Sequence, residues 1–556
     1  MVQRNRRPGP GRGGPAGSSR PRTAAFLGYV ALDRRAPVSE LGRELMRKAF
    51  PDHWSFLLGE LALYSFVVLV LTGSYLTLFF DPSLALVEYR GSYVPLQGLT
   101  VSKAYATTLE LSFDVRGGLL MRQMHHWAAL VFVAAIAVHM LRVFFTGAFR
   151  RPRELNWTIG VTLFALAMFE GFAGYSLPDD LLSGTGLRTA YSIVMSIPVV
   201  GTYLAFFVWG GSFPGEDLLP RLYVLHVLFV PGVLIALIGV HLVMVVYLKH
   251  TQWPARGRTN RNAVGQPMFP QFTAKSAGLS LLVFGVTAVL GGLAQINPVW
   301  NYGPYRADQI STDVQPDWYV GFLEGALRLM PPWETVVAGH TVMWNVFLPA
   351  VVLPGVLFAC LFLYPHLERW LSGGEEGLRE HHFCDRPRDH ATRTAIGTAG
   401  IVAYAVLLAA GGNDVIALVF RMSLEGLTWA FRVLIVVGPV AAYLLTRRLC
   451  LALQAHDRER LEEGEETGAV VQDPFGGMGE GHRPVGADRR RTALVRDVPG
   501  PLPRPAADAP LRRRLRARLS AWYCGARVEM PAHAEERLQA TGRLTEPVHE
   551  APADER

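Results

Sequence analysis

Eight stretches of this chain are too long, too apolar and too free of charge to belong to a water-soluble fold. A bilayer core of about 30 Å takes about 20 apolar residues per helix, and Leu61–Phe80 supplies twenty without a charge. Gln123–Leu141 is apolar except for its histidines, Trp157–Tyr175 carries a lone Glu170, and Leu222–Leu248 and Ser276–Trp300 are uncharged. Thr335–Leu367 runs 33 residues without a charge, too many for one helix, so its first part is expected to be a loop. Thr394–Gly412 and Leu427–Leu445 complete the set, the last with Arg432 near one end. Backbone polar groups in hydrocarbon must be satisfied within their own segment, so these stretches predict helices. The expected fold is all-α, a polytopic membrane protein with eight transmembrane helices.

Composition agrees. Of 556 residues 50% are hydrophobic and only 18% charged, against about a quarter charged in soluble domains. A single soluble domain and a disordered or fibrous chain are both excluded. Cys360, Cys384, Cys450 and Cys524 are too scattered for a disulfide framework or a zinc site, and no C-x-x-C-H is present for covalent haem. The net charge of +8 is read as membrane topology, since basic residues collect beside spans on the cytoplasmic side, and no nucleic-acid partner is expected.

The loops set the orientation. The N-terminal arm, with eleven Lys/Arg between Arg4 and Lys48, the Arg142–Arg153 loop, the Lys249–Lys275 loop and the segment after Arg447 are basic. The alternate loops carry Asp179, Asp180, Glu216, Asp217, Asp308, Asp313 and Asp317. Both termini are therefore expected in the cytoplasm. Residues 1–50 form a basic arm ending in a short amphipathic stretch near Leu41–Phe50. Residues 51–260 and 261–450 hold four spans each, and 451–556 form a charged, Pro-rich tail. Both ends are expected to be largely disordered, with the Arg-dense Leu511–Trp522 a helix candidate lying on anionic lipid or a partner.

Ionisable side chains inside a membrane are expensive and point to function. The second span carries His125 and His139, fourteen residues apart; the fourth carries His226 and His241, fifteen apart. At about 100° and 1.5 Å per residue these steps advance about 21–22 Å and return within about 40° and 60° of the same face. Both spans run from outside inward. His125 can therefore meet His226 near the outer surface, and His139 can meet His241 near the inner one. Two facing imidazoles at each level suit a six-coordinate haem b, giving a dihaem four-helix core. His126 points off that face and is read as a packing residue. Arg122, Arg142 and Arg221, close to three of these histidines, suit haem propionates. Gly59 and Gly73 on the first span, and Gly160 and Gly174 on the third, repeat the step of fourteen and would let a flat ring approach the backbone. Two other readings stand beside a haem protein of a larger complex: a stand-alone dihaem membrane quinone reductase, and a transporter whose buried histidines relay protons.

The arrangement R-x-x-H-(13)-H-x-x-R on the second span, R-x-x-x-x-H-(14)-H on the fourth and the paired glycines resemble the cytochrome b subunit of quinol–cytochrome c reductase, the cytochrome bc complex. Gly174-Tyr175-Ser176-Leu177-Pro178 is similar to the G-Y-x-L-P segment of its quinol pocket, and Pro316-Asp317-Trp318-Tyr319 to its P-E-W-Y motif with Asp for Glu. The wording Q-P-D-W-Y, L-P-D-D-L-L-S-G and F-T-G-A-F-R-R-P-R-E resembles the actinobacterial form. The likeness runs from about Phe50 to Cys450. Ser276 stands where the mitochondrial form has a proton-donating Asp. Val246 replaces a mitochondrial histidine, with His250 the nearest substitute.

The resemblance implies two haems b and a quinol, menaquinol, oxidised on the outer face. Electrons would pass to quinone on the inner face and contribute to proton-motive force. It implies Asp317 as proton acceptor, with Tyr319 and Tyr175 beside it, and Pro316 and Trp318 lining the cofactor site. It implies a Rieske iron–sulfur subunit, a dihaem cytochrome c subunit, a homodimer of the complex and a terminal oxidase supercomplex, all in a bacterial plasma membrane. The tail holds none of the ligands and is expected to be dispensable for haem binding.

Overall fold

The computed structural model describes residues 38–215, 217–309, 315–373, 379–495 and 499–531. Among them eight helices are long and apolar enough to cross a membrane: Leu58–Leu76, Gly118–Phe145, Glu154–Tyr175, Leu218–Leu248, Met268–Leu293, Trp344–Ser372, Ala391–Gly411 and Leu424–Glu463. We number them as spans one to eight. The eight-helix, all-α expectation is met. The 33-residue apolar stretch divides as expected. Glu334–Val337 and His340–Met343 pair as an antiparallel hairpin, and span six begins at Trp344.

The first four spans enclose one core. Ala62 and Phe66 of span one meet Phe132, Val133, Ile136 and Met140 of span two, Trp157 and Val161 of span three, and Val230 and Leu234 of span four. Span six is pinned to this core by the Trp157 indole, which donates to the Leu361 carbonyl at 2.7 Å. Large apolar residues such as Leu71, Val243, Leu282 and Leu445 face outward, as a lipid-facing surface requires. On the outer side, Asp180 caps Leu181–Met195 through a reciprocal box with Ser183. The Leu181 amide donates to Gly303 O at 2.9 Å and the Tyr305 amide to Asp179 O at 3.0 Å. These bonds tie the end of span three to the long segment before span six, which positions the outer site.

On the inner side a compact cap departs from expectation. The amphipathic stretch near Leu41–Phe50 is there as the helix Val38–Arg47, and Ala49–Phe50 pairs with Gln266–Pro267; residues 1–37 lie outside the described residues. The tail, expected to be largely disordered, is instead ordered through its described part. Span eight continues as helix to Glu463, and Glu465–Gln472 pairs with Met478–Arg483. The helices Ala487–Leu494 and Leu511–Cys524 follow. Leu494, Val495 and Met530 bury against Phe383, and Gln454 bridges Arg388 O and the Val528 amide at 2.6 and 2.9 Å. The tail's own composition offers too little apolar surface to fold alone. The polar loop 379–390 supplies the missing partners. That long-range match is invisible to composition.

Candidate functional site

The four intramembrane histidines meet in the two pairs that their spacing predicts. The ring centres of His125 and His226 are 6.1 Å apart at 78°, and those of His139 and His241 are 6.5 Å apart at 75°. A metal–imidazole bond of about 2 Å on each side, with about 1 Å from ring nitrogen to ring centre, gives about 6 Å for two imidazoles sharing one metal. The separations fit a bis-histidine haem. His125 Nδ1 is 2.9 Å from Thr72 Oγ1 of span one. His226 Nδ1 is 2.9 Å from Glu170 Oε1 and 3.1 Å from Glu170 O of span three. Both outer rings are thus held at Nδ1 with Nε2 left for a ligand, the second-sphere support that metal-binding histidines commonly have. In the inner pair His139 Nδ1 is buried without a hydrogen-bond partner.

The local backbone explains the unequal steps of fourteen and fifteen. Residues Leu225–Phe229 of span four form a π turn, followed by Pro231. Proline has no N–H to give and its ring clashes with the carbonyl four residues back, so the ladder widens to i→i+5 for one turn. A π turn absorbs one extra residue. Fifteen residues in span four therefore cover what fourteen cover in span two, and both pairs face each other.

Three of the four glycines lie against the imidazoles. A Cβ on Gly59 would lie 3.3 Å from His139 Cε1, one on Gly73 3.1 Å from His125 Cε1, and one on Gly174 2.4 Å from His226 Cε1. Gly160 faces open space. Arg122 is half-committed, donating to Asn297 O at 3.2 Å with Nε unpartnered. Arg142 lies over the Phe56 ring at 4.3 Å and reaches Ser55 Oγ at 3.4 Å. Arg221 turns to Asp217 at 3.1 Å and to Phe207 O at 2.7 Å, so its guanidinium is engaged on the loop side.

At the outer end, Asp317 is nearly buried and held at both oxygens: Oδ1 is 3.0 Å from His126 Nε2, and Oδ2 accepts from the Tyr319 hydroxyl at 3.0 Å. His126, read from sequence as packing, is instead the partner of the candidate Asp317. Its offset of one position from His125 turns it toward the 315–319 segment. Gly171 makes room for the Tyr319 ring, since a Cβ there would collide with its hydroxyl. Burial keeps the Tyr319 phenol well above its ordinary pKa, as a neutral donor to Asp317. Tyr175 donates to Leu182 O at 3.2 Å, and Trp318 packs against the core while its carbonyl accepts from Tyr404 at 3.4 Å. Pro316 begins this segment, half-buried. Nearby, burial pushes the Asp179 carboxyl up to about 7.

At the inner end Ser276 bonds two groups of span one, Tyr64 Oη at 2.5 Å and Glu60 Oε2 at 2.7 Å. Glu60 was not singled out in the sequence, because a charge in the first turn of a span reads as a helix end. His250 is half-buried against Phe50, ring centres 4.5 Å apart, and desolvation lowers its pKa to about 4.

Comparison with known proteins gives the chain's relatives. Residues 130–304 match the family model described as cytochrome b(N-terminal)/b6/petB. The chain is 50% identical over 507 residues to the "Cytochrome bc1 complex cytochrome b subunit" of Streptomyces coelicolor, covering 90% of this chain and 92% of that one. It is 50% identical over 485 residues to the protein of the same name in Mycobacterium bovis, covering 87% and 86%. The Corynebacterium diphtheriae protein is 48% identical over 484 residues, covering 87% of each chain. Among solved structures, a chain of a "Hyperthermophilic respiratory Complex III" superposes with TM-score 0.56 at 21% identity, covering 75% of this chain and 98% of that one. That likeness is one of fold.

Proposed function

This chain belongs to the cytochrome b subunit family of the cytochrome bc1 complex, and on that premise we propose how its residues serve quinol–cytochrome c reduction. Two haems b would be held, the outer by His125 and His226 and the inner by His139 and His241. The observation that carries this reading is the pair of matched imidazole separations, 6.1 and 6.5 Å, on the same two spans. When bound, the haems supply one-electron carriers linking quinol oxidation on one face to quinone reduction on the other. Arg122 and Arg142 keep donors for the propionates.

Menaquinol sits on the outer side between Tyr175–Pro178 and Pro316–Tyr319. Asp317 takes the proton of a quinol hydroxyl, and to do so its Oδ1 must exchange its bond to His126 for one to substrate. Tyr319 holds the other oxygen, which fixes the direction in which Asp317 can turn. Trp318 and Pro316 shape the wall that keeps water from the reacting hydroxyl. On the inner side Glu60, bonded by Ser276, which Tyr64 holds in turn, is the carboxylate that can hand a proton to quinone. Proton release outside and uptake inside make the electron flow contribute to proton-motive force. The first electron would leave by way of a Rieske iron–sulfur subunit, which would pass it on to a dihaem cytochrome c subunit. The complex is a homodimer, joined to a terminal oxidase, in a bacterial plasma membrane with both termini of this chain in the cytoplasm.

The test is purification through a tag on this chain in mild detergent, with a reduced-minus-oxidised spectrum and a quinol–cytochrome c assay on the same sample. Haem b absorbance with activity and co-purifying iron–sulfur and c-type subunits is expected. Haem b without those partners would favour a stand-alone reductase, and a sample without haem b would end every redox reading.

A further inference from the structure

We propose that the tail helix Leu511–Cys524 lies in the headgroup layer of the membrane on its cytoplasmic side and binds anionic phospholipid through its free face. One face of this helix is committed to protein. Ala517, Ser520, Tyr523 and Cys524 are buried. The Tyr523 hydroxyl donates to Glu368 and lies 2.8 Å from the Tyr364 hydroxyl. Arg516 Nε donates to Trp370 O at 2.8 Å, and Thr392 Oγ1 to Trp522 O at 3.3 Å. Glu368 and Trp370 stand in the last turns of span six, and Thr392 in the first turn of span seven. These contacts fix the helix at the depth where two spans leave the hydrocarbon.

The opposite face is apolar and open. Leu511, Leu515, Leu519 and Trp522 are 78%, 52%, 37% and 47% exposed. At about 100° per residue they fall within a sector of about 80°, turned away from the buried face. Arg512, Arg514 and Arg518 flank that sector and are exposed, and the helix holds no acidic residue. An apolar stripe bordered by arginines, held at the membrane rim, is the form of an in-plane interfacial helix, and its charge selects anionic headgroups. A soluble partner would meet the same cationic rim, but the depth set by Trp370 and Glu368 puts lipid there first.

The experiment uses the purified complex in nanodiscs of phosphatidylcholine alone or with added phosphatidylglycerol. A nitroxide is placed at Leu515→Cys in a Cys360→Ser background, because Cys360 is the exposed native cysteine. Collision with oxygen relative to a water-soluble nickel chelate, read by power-saturation EPR, should rise several-fold when phosphatidylglycerol is present. Replacing Arg512, Arg514 and Arg518 together by Glu should abolish that rise. Strong nickel access in both lipids would show a water-exposed face and overturn the proposal. Weak access to both reagents would show a protein covering it, with the same consequence. Equal oxygen readings in the two lipids would overturn the anionic selectivity, and because this arm needs no charge variant, misfolding cannot produce it.

Discussion

In the proposed mechanism Asp317 carries the heaviest chemical load of any one residue, and it is the residue whose surroundings the sequence describes least. Its motif marks it, but His126 lies 191 positions away and Tyr319 only two. The second contact is legible from spacing; the first depends on which loop folds over span two. Asp317→Asn keeps the shape and removes the proton acceptor, so quinol oxidation should slow by up to about 10²–10⁴-fold with haem content unchanged. Oxidation at the parental rate would remove Asp317 from the mechanism. The four paired histidines were legible because periodicity alone sets their face and level. Glu170 and Thr72, which hold the outer rings at Nδ1, were not, since nothing in a sequence says which neighbour's side chain reaches a given ring nitrogen. Gly174 yields a sharper prediction. Any side chain there collides with the His226 ring, so Gly174→Val should lose the outer haem's absorbance while the inner haem stays.

Among the elements, span four shows what length counting leaves out. Each of the eight apolar stretches overlaps one observed helix, but the ends differ, most at span eight, which runs on past Leu445 to Glu463. Their ends moved because capping turns carry polar residues, as where Gly118–Phe145 begins five residues before the first apolar run suggests. The π turn at Leu225–Phe229 leaves no such trace except Pro231, and it reconciles the two histidine spacings. Pro231→Ala restores an N–H and allows regular i→i−4 bonding, which would turn His226 by about 100° relative to His241. The outer haem's EPR signal should shift or weaken in this variant and the inner one should not. An outer signal identical to the parent's would mean that packing against span three, and not the proline, sets the turn.

At the scale of the whole molecule, membrane class, span count and histidine pairing followed from hydropathy and period, whereas the cap built by the tail and the 379–390 loop did not. Its stability rests on polar matches between distant segments. Arg393, fully buried, pairs with Glu368 at 3.2 Å and Asp385 at 2.5 Å, and Asp385 also pairs with Arg150 at 2.6 Å. The tail completes this group through Tyr523, whose phenol burial holds well above its ordinary pKa. Removing a partner from a buried charged group costs about 1–3 kcal/mol or more. Tyr523→Phe should therefore lower the thermal midpoint of the complex, and truncation after Glu463 should lower it further, while the haem spectrum is retained. An unchanged midpoint in both would mean that the tail only rests on the core. The pairing of histidines across spans two and four underlies every functional statement, and reduced-minus-oxidised spectra of the four single histidine variants test it most directly. His125→Ala and His226→Ala should remove one and the same b-type component, and His139→Ala and His241→Ala the other. Loss of a single common component from His125→Ala and His241→Ala would contradict it.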